Sequence, residues 1–242
     1  MEIFSPKLKK YQRKFGYSYA FGTYPTIDLL EHKRDSVLKV LLNSHNDGSE
    51  GVAEVQRLCS ELGVKIEVQD RAIEKIAFKE NTYTVGVFKK YECELNGERN
   101  HLVLVEPRNM GNLGTIIRTM LGFNVRDLAI IKPAADIFDP KVVRSTMGAI
   151  FQINFKYYNT LKDYLKEFGS RHIYTFMLDG AKDIREIKFE EPFSMIQGTE
   201  SNGLSESFKD LGQSVYIPQS KDIDSLNLSV ATAIGLWESS KK

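Results

Sequence analysis

From residue 102 onward the chain repeats one pattern: a short apolar run, a loop rich in Gly, Asn, Ser or acidic residues, then apolar residues at helical spacing. The strand-like runs lie at 102–105, 128–131, 172–178, 194–197 and 215–217, and helical patterns at 141–151 and 161–168 lie between them. In the latter, Leu161, Tyr164, Leu165 and Phe168 fall at i, i+3, i+4 and i+7, and Gly169 follows as a stop. Strands separated by helices pair in parallel, because a parallel neighbour needs a crossover connection. The expected fold class is therefore α/β with a mostly parallel sheet. A last helix over 226–237 carries Ser229, Ala231, Thr232, Ala233 and Gly235, small residues that predict a close approach by another element.

A smaller α/β unit precedes this pattern. Residues 37–42 read as a buried strand, and Asn46, Asp47, Gly48 and Ser49 form a turn. Val52, Val55, Leu58, Cys59 and Leu62 then give a helix stopped by Gly63, and Val64, Ile66 and Val68 alternate as a strand. The polar stretch 92–100 marks the boundary, giving domains 1–95 and 96–242. A chain of 242 residues, 42% of them hydrophobic, can bury two such cores.

Charge excludes a global field, since 33 Lys and Arg face 32 Asp and Glu. A nucleic-acid surface must be local. One candidate is Lys7, Lys9, Lys10, Arg13 and Lys14 interleaved with Tyr11 and Phe15; a solvated, frayed terminus is the alternative reading. Cys59 and Cys93 are isolated, so no disulfide framework or zinc site is expected, and no metal. No apolar run approaches the roughly 18 residues that span a bilayer, and no leader-like h-region follows the first residues, so a soluble, cytoplasmic protein is expected.

Three strand-following loops are placed where open α/β sheets bind ligands. The first holds Asn112, Gly114 and Arg118, with a helix expected to begin beyond Gly114. The second is 198–205, in which Gly198 and Gly203 flank Glu200. There a side chain at 198 is expected to exclude a ligand while leaving the fold intact. The third, 218–229, alternates Ser225, Asn227 and Ser229 with Leu226 and Leu228. An exposed helical Arg, a turn capped by Ser205 and a cap at Ser225 are the plain structural readings of each loop taken alone. Neither GxGxxG nor GxxxxGK[ST] is present, and His32, His45, His101 and His172 all lie outside the three loops, which excludes dinucleotide, P-loop and Ser-His-Asp chemistry there.

Together the loops resemble the three motifs of the TrmH (SpoU) family of the SPOUT superfamily, in order: 112–119 (Asn-Leu-Gly-Thr-Ile-Ile-Arg-Thr), 198–205 (Gly-Thr-Glu-Ser-Asn-Gly-Leu-Ser), and Ile217-Pro218 followed by 225–231. The linking segment 140–149 is also similar to the family, and residues 18–90 more loosely resemble its N-terminal RNA-binding domain, itself similar to small ribosomal RNA-binding proteins. Residues 83–87 (Tyr-Thr-Val-Gly-Val) depart from the His-Gln-Gly-Val usual in that domain, which leaves the RNA undefined.

The resemblance implies a trefoil-knotted sheet, a homodimer, and S-adenosylmethionine held by backbone around Gly198, Ile217 and Leu226. It implies methyl transfer to a ribose 2′-hydroxyl of structured RNA, ribosomal rather than transfer RNA, with Asn112, Arg118, Glu200, Ser225 and Asn227 in the catalytic region. A guanidinium ionises above about pH 12, so Arg118 is expected to grip phosphate and stabilise charge on the 2′-oxygen rather than act as base. Asn112 and Asn227 are expected to orient the ribose or Arg118, Ser225 to shape the cofactor loop, and Glu200 to fix loop or dimer geometry. The rival readings are a non-catalytic RNA-binding protein with a relict knot domain, which the joint presence of these five residues disfavours, and methylation of a base, which the Asn/Arg first motif disfavours.

Overall fold

The computed structural model describes residues 8–46, 48–78, 82–199 and 203–241, which form two compact units. The first comprises Met1–Tyr91 with Asp136–Gln152, and the second Glu92–Ala135 with Ile153–Lys242.

In the first unit, β1 (Tyr17–Phe21), β2 (Val37–Leu42), β3 (Ile66–Val68) and β4 (Thr84–Lys89) form a sheet in the order β1-β4-β2-β3. The parallel pair β2/β3 is joined by α2 (Glu50–Leu62), the β-α-β unit expected from the pattern, and Gly63 ends α2 at φ 67. Helices α1 (Thr23–His32) and α3 (Asp70–Ile76) complete the unit's N-terminal part. Tyr17, Tyr19 and Phe21 of β1 enter a core with Ile73, Ile76, Val85 and Val87, and Leu8, Tyr11 and Phe15 pack against it. The described part of the N-terminal stretch is thus fastened rather than frayed: Tyr19 Oη donates to the Lys9 carbonyl at 2.6 Å. Lys7 lies outside the described residues.

Helix α5 (Pro140–Ser145) and the residues up to Gln152 cluster in this unit, although the strands that flank them in sequence lie in the other. Ser18 Oγ donates to the Phe138 carbonyl at 2.5 Å, and Gln152 Nε2 donates to Asp28 Oδ1 at 2.9 Å. The helix expected over 141–151 stops at Ser145 because Met147 and Gly148 turn to φ 50 and 95. A Cβ on Gly148 would lie 2.0 Å from Asp28 Oδ2, so only glycine fits there.

The second unit contains β5 (His101–Val105), β6 (Asp127–Ile131), β7 (Asn154–Tyr158), β8 (His172–Phe176), β9 (Lys182–Asp183), β10 (Phe193–Gln197) and β11 (Gln213–Tyr216). They form one seven-stranded sheet, all pairs parallel, in the order β7-β6-β5-β10-β8-β11-β9. Helices α4 (Met110–Gly122), α6 (Leu161–Phe168) and α7 (Leu228–Ser239) accompany it. From β5 the order runs outward through β6 and β7. The later strands lie on β5's other side, with β10 inserted against β5. The carboxyl ends of β5 and β10 therefore meet where the order reverses, the place at which parallel sheets open a crevice.

At the opposite end of the same strands, buried polar groups bond one another, while Asp127 Oδ2 and Arg171 Nε are buried without a hydrogen-bond partner among the described residues. His101 is fully buried; its Nε2 meets the Asn96 carbonyl at 2.9 Å, and its Nδ1 lies 2.7 Å from Arg171 Nη1 and 2.9 Å from Tyr164 Oη. Since Arg171 can only donate and a carbonyl can only accept, the ring is neutral with its proton on Nε2. Burial depresses the His101 pKa to about 4, with the Arg171 charge adding to the effect. Tyr164 Oη reaches Ser194 Oγ at 2.6 Å, while buried Asp127 accepts from the Asn96 amide at 2.8 Å and from Asn154 Nδ2 at 3.1 Å.

Candidate active site

Helix α4 starts at Met110, four residues earlier than Gly114 suggested, because Asn109 caps it. The Asn109 Oδ1 accepts from the amides of Gly111 and Asn112 at 2.9 and 3.1 Å. The two glycines are thus inside the first turns, and Asn112 is held in that turn, half-buried. Arg118 lies on the same helix, exposed, about 9 Å farther along its axis at 1.5 Å per residue. It makes no hydrogen bond or ion pair to another described residue.

Helix α7 begins at Leu228, two residues later than expected, with Asn227 rather than Ser225 as its cap. Asn227 Oδ1 accepts from the Ser229 amide at 2.8 Å and from Ser229 Oγ at 2.7 Å. That leaves its Nδ2 to donate to Asn112 Oδ1 at 3.2 Å. Residues 115 apart in sequence are so joined across the starts of two helices. Ser225 is exposed and makes no hydrogen bond to a described residue.

Gly198 is buried at the end of β10. Thr199 and Gly203 exchange backbone hydrogen bonds at 3.3 and 3.1 Å, which folds the loop back on itself, with Gly203 at φ 61. A Cβ on Gly198 would stand 2.2 Å from the Gly203 carbonyl carbon and 2.5 Å from the Leu204 nitrogen. This corrects the expectation for position 198: a side chain there strikes the loop's own backbone, so the loop cannot survive it unchanged. Glu200 lies outside the described residues, as do Ser201 and Asn202. Ile217 and Leu226 are half-buried, and the backbone groups of Leu226 have no hydrogen-bond partner among the described residues.

The small residues of α7 serve its own sheet. Thr232 and Gly235 are buried, and a Cβ on Gly235 would lie 2.8 Å from the Phe176 ring and 2.9 Å from Met195 Sδ. The exposed side of the helix instead carries Val230 and Trp237. Asn109, Gln197 and Thr232 are site-supporting residues that the motif reading passed over. An Asn ahead of a helix is a legible cap signal, whereas a hydrogen bond between Gln197 and Thr232 has no local signature.

The geometry joins two strand-following loops through an amide pair, with an exposed guanidinium, unpartnered among the described residues, on the same helix and a glycine-built turn on the neighbouring strand. Such a site can hold a polar ligand by backbone and carboxamide groups, and an anion by Arg118. Among the described residues, no helix is long and apolar enough to cross a membrane.

Residues 99–237 match the SpoU rRNA Methylase family. The chain is 31% identical over 146 residues to a 23S rRNA guanosine 2′-O-methyltransferase of Bacillus subtilis, covering 59% of this chain and 58% of that protein. It is 30% identical over 144 residues to an uncharacterized tRNA/rRNA methyltransferase of a Synechocystis strain, covering 58% and 53%. The chain spans about half the length of these curated relatives. Its fold is similar to that of the AdoMet-bound rRNA methyltransferase of Sinorhizobium meliloti, with a TM-score of 0.77 and 27% identity over 93% of this chain and 87% of that one.

Proposed function

Because the chain belongs to the SpoU rRNA Methylase family, we propose that it transfers a methyl group from S-adenosylmethionine to a ribose 2′-hydroxyl of structured RNA. The observation that carries this reading is the hydrogen bond from Asn227 to Asn112, which joins the first and third loops on the helix that also carries Arg118, exposed and without a partner among the described residues.

The cofactor fits the residues proposed to hold it. Gly198, Ile217 and Leu226 offer main-chain groups and apolar surface without charge, which suits an adenosine moiety, and the Leu226 backbone groups have no hydrogen-bond partner among the described residues. Once bound, it supplies an electrophilic methyl group on a positively charged sulfur. The remaining task is alignment, because displacement at carbon needs the 2′-oxygen in line with the bond that breaks. In this reading Arg118 grips the phosphate next to the target ribose with its planar fork and stabilises negative charge developing on the oxygen. Asn112 and Asn227 orient the ribose, their mutual bond fixing which carboxamide edges face it. Ser225 shapes the cofactor loop, and Glu200 fixes loop or dimer geometry.

The same reading makes 1–95 the domain that binds the RNA and 96–242 the methyltransferase domain, knotted and paired in a two-fold dimer. The exposed Val230 and Trp237 on α7 support the dimer, because apolar side chains on a short helix gain from a self-complementary contact. Ribosomal RNA is the preferred substrate and the cytoplasm the proposed location; neither a metal nor a membrane has a part in the reaction. Mapping 2′-O-methyl positions in total RNA from cells with and without the gene tests the proposal. Loss of at least one methylated ribose on deletion is expected; an unchanged map would refute it.

A further inference from the structure

On the side of α7 that faces the sheet, Gly235 lies against Met195 and Phe176, and one turn earlier the buried Thr232 hydroxyl bonds the side chain of Gln197 at the end of β10. Both residues are almost wholly buried, at 0% and 2% exposure. Thr232 Oγ1 also lies 2.8 Å from the Leu228 carbonyl. One hydroxyl proton cannot serve two acceptors. With the Gln197 amide turned so that Nε2 donates to Oγ1, the hydroxyl donates onward to Leu228, and a relay runs from the end of β10 to the first residue of α7. In either orientation the contact ties the residue before Gly198 to the turn of helix that follows Asn227.

We propose that Gln197 and Thr232 are positioning residues which pin the register of α7 on the sheet and so hold the Asn227 carboxamide against Asn112. Apolar helix-to-sheet contacts tolerate small slides and rotations, whereas a buried polar pair is satisfied in one register and costs its desolvation in every other. A slide of even an ångström matters at the helix start, where Asn227 reaches Asn112 at 3.2 Å and has little distance to spare. The inference rests on the methyltransferase reading for its catalytic consequence but not for the pin itself.

Three variants separate positioning from plain stability. Thr232→Val is nearly isosteric and removes only the hydroxyl. Thr232→Ser restores it. Gln197→Met with Thr232→Val replaces both partners by apolar groups and returns most of the lost stability. Single-turnover methylation under saturating RNA and cofactor should fall roughly tenfold in Thr232→Val and recover in Thr232→Ser. In the double variant it should stay low although the melting temperature recovers. Amide hydrogen exchange at Val230, Ala231 and Thr232 should quicken roughly tenfold in Thr232→Val and in the double variant. Recovery of rate together with stability in the double variant, or a parental rate in Thr232→Val, would overturn the positioning role. If the parent chain methylates no RNA, the function proposed above fails and the pin is judged by exchange alone: unchanged protection in Thr232→Val would overturn it.

Discussion

The two ends of the parallel sheet spend their polar residues differently. At the amino ends, His101, Tyr164, Ser194 and Asp127 are buried and bonded to one another or to the backbone of exposed Asn96, with Arg171 donating to His101 and to the Arg99 carbonyl. At the carboxyl ends, Ser225 is exposed without a partner among the described residues, as is Arg118 farther along α4, and Asn227 donates to Asn112 across the starts of two helices. A buried, internally bonded network serves folding. An open set of donors at a strand-order reversal serves a ligand. Perturbing the amino ends should therefore cost stability, and perturbing the carboxyl ends should cost binding or rate.

The largest expected effect straddles that division. Gly198→Val forces a branched side chain into the Gly203 backbone, so calorimetry should detect no S-adenosylmethionine binding, and the melting temperature should fall as well. Unchanged affinity would mean the cofactor is held elsewhere.

Next is the pH dependence of the buried network. His101 has a pKa of about 4 in the fold against about 6.5 unfolded, so between these values the unfolded chain binds more protons. Its contribution is complete above pH 6.5 and is lost as pH falls through 6.5 toward 4, amounting to roughly 3 kcal/mol. Urea unfolding at stepped pH should show that slope, and the imidazole resonance should titrate well below pH 6. A ring titrating near 6.5 would mean that the network is open to water.

Arg118→Lys keeps charge but loses the fork. Single-turnover methylation should drop by about a hundredfold, equivalent to about 2.7 kcal/mol, with dimerisation, cofactor affinity and melting unaltered. A stability loss instead of a rate loss would erase the distinction between the two ends. The smallest change is expected for Asn109→Ala, which removes a helix cap rather than one of the open donors, and urea unfolding should show a stability loss of about 1 kcal/mol.

Much of the second unit was readable because its strands are short apolar runs and its helices amphipathic. The three loops were readable because Gly, Asn and Ser gather after those strands. What escaped did so for physical reasons. β1 is buried on both faces, so Tyr17 to Phe21 show no alternation, and α1 carries Pro25, which is tolerated only because it sits in the first turn. Gly114 reads as the last residue of a loop, whereas the Asn109 cap places it inside α4. The ties of the 136–152 segment to Ser18 and Asp28, and of Thr232 to Gln197, join residues far apart in sequence, and no local pattern announces them.

The most direct measurement is the chemical position of the transferred methyl group. Purified protein, RNA and S-adenosylmethionine carrying a labelled methyl are incubated together, and the RNA is then hydrolysed with alkali, which cannot cut beside a methylated 2′-oxygen. Label in alkali-resistant dinucleotides, strongly reduced with Arg118→Lys, is the predicted result. Label on a base, or no label at all with the intact chain, would contradict the assignment of the carboxyl-end loops to ribose methylation.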